Sequence, residues 1–183
     1  MRFSISLIDT SNYIKKFFPN HTTLSLKKTL QALGVITLSP YKFISNKKLE
    51  CSLLLASMEK MHSLNKEFRA IDKPTDVLSF SAETLNCRLE KVYDANEDSE
   101  CKIILNEHVN IMHLGDIGIS CELIKTNADN LQVDFEYHFF FMFVHSLLHL
   151  VGFDHDDDLE ASIMEQNEQR VMNNWTQTTY KKV

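Results

Sequence analysis

The chain has 183 residues, 44% of them hydrophobic and 24% charged, which is ordinary for a globular protein and long enough for one domain with a real core. Its formal charge of −6 provides no global electrostatic footprint for nucleic acid, so any RNA contact must use a local basic patch. The four cysteines, at positions 51, 87, 101 and 121, form no Cys-x-x-Cys pair and so indicate neither a zinc ribbon nor a thioredoxin-like site. Buried or idle thiols are expected, with a Cys87 to Cys101 disulfide as a minor alternative in a reducing cytoplasm.

Residues 2–9 place Phe3, Ile5 and Leu7 on one side at period two, which predicts a half-buried first strand. The same segment carries one basic residue and an acid at its ninth position, which is neither a secretory signal nor an anchor, so a cytoplasmic protein is expected. Thr22 or Thr23 is suited to cap a helix carrying Leu24, Leu26, Leu30 and Leu33, with Gly34 as its stop. The lysines on and around it, Lys15, Lys16, Lys27, Lys28, Lys42, Lys47 and Lys48, read as a solvated surface in preference to an RNA-contacting patch. Residues 49–56, with Leu53, Leu54 and Leu55 in succession, fit a strand buried on both faces. Ser57 then caps a helix from 58 to about 68 whose inward positions are Met58, Met61, Leu64 and Phe68, and which delivers Arg69 at its C-terminal side. Pro74 marks a turn into a strand with Val77 on one face and Leu78 and Phe80 on the other.

The stretch from about 81 to 113 is polar and acidic around Glu97, Asp98 and Glu100, and is expected to form a variable excursion in which His108 and His113 are solvated loop residues. Residues 114–120 alternate again through Ile117 and Ile119 and predict a strand, in which Asp116 either supports a site or caps a turn. Residues 122–130 read as a short polar helix. Asp134 is the expected N-cap of a helix that continues through Tyr137, Phe140, Phe141, Val144, Leu148 and Val151 to Gly152. Its apolar residues lie nearly all round, which predicts a buried central helix, and they fall short of the roughly 20 a membrane span requires. Asp156, Asp157 and Asp158 suit the positive end of a last helix over about 159–173, with Ile163, Met164 and Val171 inward and a frayed end from Trp175. The expectation is a single α+β domain spanning 1–183, with a mixed sheet of about four strands and about five helices gathered on its faces.

The chemistry concentrates at the end of the central helix. His145 and His149 are four apart and project from the same helix face, one turn above each other. Gly152 is able to end the helix in the left-handed conformation, which lets His155 approach the same point from outside. Three neutral imidazoles leave the fourth tetrahedral position to water, the arrangement of catalytic zinc, so one Zn2+ ion or another divalent transition metal is expected here. The spacing His-x-x-x-His-x-x-Gly-x-x-His is also that of metzincin proteases, in which a glutamate after the first histidine acts as general base. Here that position is Ser146, whose hydroxyl cannot accept a proton near neutral pH. Uncharged ligands leave the charge of the ion unneutralised, so a bound water is expected to titrate toward ~7 without that base.

Leu148-His149-Leu150-Val151-Gly152-Phe153-Asp154-His155, preceded by His145, resembles the His-Gly-x-Leu-His-Leu-x-Gly-Tyr-Asp-His signature of the bacterial YbeY endoribonucleases, with Ser146 for the glycine and Phe153 for the tyrosine. Asn65 and Arg69 followed by Thr75-Asp76-Val77-Leu78-Ser79-Phe80 are similar to a second segment of that family, and Leu114-Gly115-Asp116-Ile117-Gly118-Ile119 to a third. The resemblance implies a metal-dependent, single-strand-specific endoribonuclease acting in ribosomal RNA maturation at the small-subunit 3′ end and in ribosome quality control. Its implied partners are single-stranded RNA, ribosomal RNA and the ribosome, with no membrane and no DNA. It also implies a functional Arg69, whose guanidinium suits a phosphate oxygen, whereas the residues alone read Arg69 as a surface group paired with Asp72 or Glu67. Asp154 is a candidate to orient a histidine or assist proton transfer, with a helix-capping role as its alternative. The rival readings are a metzincin-like protease lacking its glutamate and a non-catalytic RNA- or ribosome-associated metal protein.

Overall fold

Period-two alternation of apolar residues builds a four-stranded sheet from β1 (Arg2–Asp9), β2 (Lys48–Leu55), β3 (Val77–Ser81) and β4 (Ile111–Ile119). A computed structural model describes residues 2–41, 48–82 and 111–180. The strand order is β1-β2-β4-β3; β1, β2 and β4 are parallel, and β3 pairs antiparallel with β4 at one edge. Six helices complete the described chain: α1 (Tyr13–Phe17), α2 (Thr23–Leu38), α3 (Met58–Arg69), α4 (Cys121–Leu131), α5 (Phe135–Leu150) and α6 (Asp158–Tyr180). The expected α+β class and mixed sheet are present, with the short α1 as the helix that the sequence reading did not anticipate.

The two faces of the sheet are covered unequally. One carries the large core, in which Phe3 and Ile5 of β1, Leu49, Cys51, Leu53 and Leu55 of β2, and Ile117 and Ile119 of β4 meet α2, α5 and α6. The other is covered by α3 through a small cluster of Ala56, Met61 and Leu78, with Leu54, Leu64 and Phe80 packed against it. β2 therefore alternates between buried and half-buried positions instead of being buried on both faces, because α3 shields only part of that side. For the same reason Met58 and Phe68 are exposed, and Asn65 takes the inward place, donating its amide to the Lys73 carbonyl at 2.8 Å.

Gly34 is not a stop. α2 runs on to Leu38, and a Cβ at Gly34 would lie 2.2 Å from the Phe3 ring, so the glycine instead lets the helix close onto β1. Thr22 is the cap, in a reciprocal box with Ser25. β4 skips Leu114 in its pairing with β2, and Gly115 at the irregularity has φ +136°, where an added Cβ would lie 2.1 Å from the Phe80 carbonyl oxygen. β4 begins at Ile111, so His113 lies in a strand, exposed and 3.4 Å from Asp116, and not in a loop. The last helix reaches Tyr180, with an edge-on contact between Trp175 and Phe140, so the fraying expected from Trp175 is not seen among the described residues, and residues 181–183 lie outside them. Cys87, Cys101, His108, Lys42, Lys47 and the body of the expected excursion lie outside the described residues. No helix among the described residues is long and apolar enough to cross a membrane.

Candidate metal centre

α5 starts at Asp134, whose carboxylate accepts from the Tyr137 amide, and ends one residue before Val151. Phe139, Phe143, Leu147 and Leu148 are wholly buried, which fixes the rotation of the helix about its axis. His145 and His149 consequently share the half-buried side of α5, while Gly152, at φ +94°, turns the chain so that the exposed His155 returns over them. The imidazole rings meet with centroid separations of 4.6, 5.1 and 5.7 Å, and one nitrogen from each lies within 4.8 Å of the others.

Hydrogen bonds assign the tautomers of two rings. The Nδ1 of His149 faces the Phe153 carbonyl at 2.9 Å, and that of His145 faces a Glu168 carboxylate oxygen at 2.7 Å. Both partners are acceptors, so each favours a proton on the Nδ1 it faces, and a neutral ring of that tautomer presents its Nε2 as a lone pair. Those two Nε2 atoms face each other at 3.1 Å. Two such lone pairs at that distance repel unless a proton or a metal ion lies between them. Two nitrogens on one tetrahedral zinc at bond lengths of 2.0 to 2.1 Å stand roughly 3.3 Å apart, so the pair has the span of such a site. The donor set thus suits a divalent ion, with imidazole nitrogen as every protein ligand. Burial holds His149 below the ordinary imidazole range, with the neighbouring His145 adding to the effect, which favours the neutral form that a metal ion requires.

The remaining expected residues are placed as follows. Asp154 has one oxygen 3.9 Å from His149 Nδ1 and accepts from the His155 amide at 2.9 Å, so it braces the turn that carries the third histidine. Ser146 is buried and donates back to the Met142 carbonyl at 2.9 Å. Arg69 is not part of the histidine group: it is exposed and donates through Nη2 to the Ser79 carbonyl at 3.1 Å, which ties it to the edge strand β3 that packs against α5. Glu168 and the Phe153 carbonyl were missed. The signal for Glu168 was available, since it falls on the apolar stripe of α6 with Met164, Val171 and Met172, all buried.

The family model for Endoribonuclease YbeY matches residues 15–176. The chain belongs to the YbeY endoribonuclease family. The match spans the three histidines, Arg69, Asp154 and Glu168. A relative from Agathobacter rectalis, itself named Endoribonuclease YbeY, is 38% identical over 126 residues, which are 67% of this chain and 73% of the relative. Among solved structures, the solution structure of TM1509 from Thermotoga maritima is 21% identical with a TM-score of 0.47, covering 95% of this chain and 93% of that one. YbeY membership makes RNA the class of substrate, and the histidine group is one that could hold a metal ion.

Proposed function

We propose that this chain is a metal-dependent, single-strand-specific endoribonuclease that acts in small-subunit 3′-end maturation of ribosomal RNA and in ribosome quality control. Residues 1–183 work as one cytoplasmic domain, with the stretch near 81–113 as a variable excursion. His145, His149 and His155 hold one zinc ion, or another divalent transition metal, and leave a position free for water or substrate. The observation that carries the reading is the pair of Nε2 atoms facing each other at 3.1 Å, with a nitrogen of a third histidine within 4.8 Å.

When bound, the ion supplies Lewis-acid polarisation of a phosphoryl oxygen and a nucleophile at neutral pH. The chain's own residues do the rest. Phe153 and Glu168 hold two imidazoles with their Nε2 atoms converging. Arg69 uses one of its five N–H groups on Ser79 and offers the others to the scissile phosphate, where they offset charge that grows in the transition state. Asp154, exposed beside His149 and His155, orients the turn and is positioned to exchange a proton with solvent. Ser146 has its hydroxyl committed to the helix backbone, which argues against a protease-like base at that position.

The test is metal analysis of the wild type and of His149→Ala, coupled to cleavage of a single-stranded RNA with and without chelator. Stoichiometric metal and chelator-sensitive cleavage in the wild type, both lost in the variant, are expected. Cleavage that survives metal removal would overturn the reading.

A further inference from the structure

We propose that Glu168 is the positioning residue of the metal centre, fixing the tautomer and ring plane of His145 so that its Nε2 is presented to the ion. The inference rests on the metal reading above and extends it to a residue on a different helix.

The carboxylate oxygen lies 2.7 Å from Nδ1, a charge-assisted hydrogen-bond length, and Glu168 is only 7% exposed. A carboxylate buried on an apolar stripe costs several kcal/mol unless it is paired, and the contact with His145 supplies that pairing for an acid on the same stripe as Met164, Val171 and Met172. Its place is set from both sides. Tyr41 donates to Asn167 at 3.0 Å, and Arg170 reaches the carbonyls of Ile36 and Thr37 at 3.5 and 3.4 Å, so the turn of α6 holding Glu168 is tied to α2 and to the residues after it. His145 itself is a half-buried ring on α5, with Phe141 stacked at 6.5 Å on its N-terminal side. Glu168 is what distinguishes the two helix histidines: His149 donates to a neutral carbonyl, His145 to a carboxylate. A carboxylate behind a ligating imidazole fixes its tautomer and orientation, and losing such a partner typically lowers metal affinity about 10- to 100-fold.

The experiment uses the full chain and three readouts: the zinc dissociation constant by competition with a chromophoric chelator, the melting temperature of the metal-free form, and nitrogen-15 NMR of the metal-free histidine rings. Wild type is expected to show His145 protonated at Nδ1. Glu168→Gln, which keeps the shape and an acceptor oxygen, and Glu168→Met, which keeps neither charge nor acceptor, are expected to bind zinc about 10- to 100-fold more weakly, with Met the worse. In Glu168→Met the Nδ1–H preference of His145 is lost. A purely structural Glu168 would lower the melting temperature and leave zinc affinity unchanged. Zinc affinity within twofold of wild type in both variants would overturn the proposal while leaving the metal reading intact. A wild type that binds no zinc would overturn both. Should a variant fail to fold, the wild-type NMR decides alone: an Nε2–H tautomer at His145 would sink the proposal.

Discussion

The backbone carbonyl of Phe153 accepts the Nδ1 proton of His149 at 2.9 Å, and it is delivered there by Gly152 at φ +94°. The turn that returns His155 therefore also orients the imidazole it returns to. Gly152→Ala places a side chain in the left-handed region and is expected to destabilise the fold by about 1 to 2 kcal/mol. Because the carbonyl moves with the turn, zinc affinity should fall as well. Urea denaturation of the metal-free chain and chelator competition would be compared with wild type, and unchanged affinity would show that the carbonyl is dispensable.

Arg69 comes from α3 on one face of the sheet and His145 and His149 from α5 on the other, and the Ser79 carbonyl holds Arg69 at the β3 edge. Arg69→Ala should leave bound metal unchanged and slow cleavage of single-stranded RNA by about 10² to 10³, the range for removing one preorganised donor from a transition state. Metal content and single-turnover rate are the two measurements. Loss of metal would mean that the residue supports the centre and not the phosphate.

His138 makes a component of stability depend on pH. The ring is 8% exposed and its Nε2 has no hydrogen-bond partner among the described residues. Burial holds its pKa below the ordinary value, with Asp76 opposing the shift without reversing it. Above an unfolded-state pKa near ~6.5 the ring is neutral in both states and its contribution is fully present. As the pH falls below that value the unfolded chain takes up the proton first, so stability is lost through the window down to the lower folded value. His138→Leu should weaken this slope and, by removing an unpaired polar atom, raise stability by about 1 kcal/mol at neutral pH. Denaturation of the metal-free protein at neutral and at mildly acidic pH checks both. An identical slope in variant and wild type would exclude the assignment.

Burial pushes the Cys51 and Cys121 thiols up to about 12. With Cys87 and Cys101 replaced by serine, the native chain should be inert to a thiol-disulfide reagent at mildly alkaline pH and release both thiols in denaturant. Prompt reaction of the native form would mean that the sheet or the start of α4 opens readily.

What could be read from the residues alone follows the range of the interactions. The caps at Thr22, Ser57 and Asp134 and the alternation in β1 and β4 are local, and they were legible. So was the histidine group, whose members lie on one helix and the turn after it. Gly34 was misread because the reason for it, the Phe3 ring, comes from a distant strand. Phe68 and Met58 were misplaced because helical phase predicts a face and not how much of that face a neighbour covers. Glu168, 23 residues from the ring it contacts, needed the packing of α6 to be known.

The locality of the histidines also bears on the order of assembly. β1, β2 and β4 pair in parallel and join residues as far apart in the chain as Cys51 and Gly115, closures that are slow because long loops must be ordered first. The ligands need only the last turns of α5 and the bend at Gly152. A divalent ion would thus meet most of the histidine group in a chain whose sheet is still unpaired. A metal held by such an early form would add less to native stability than its affinity for the finished fold suggests, because binding to the unfolded chain offsets part of the gain.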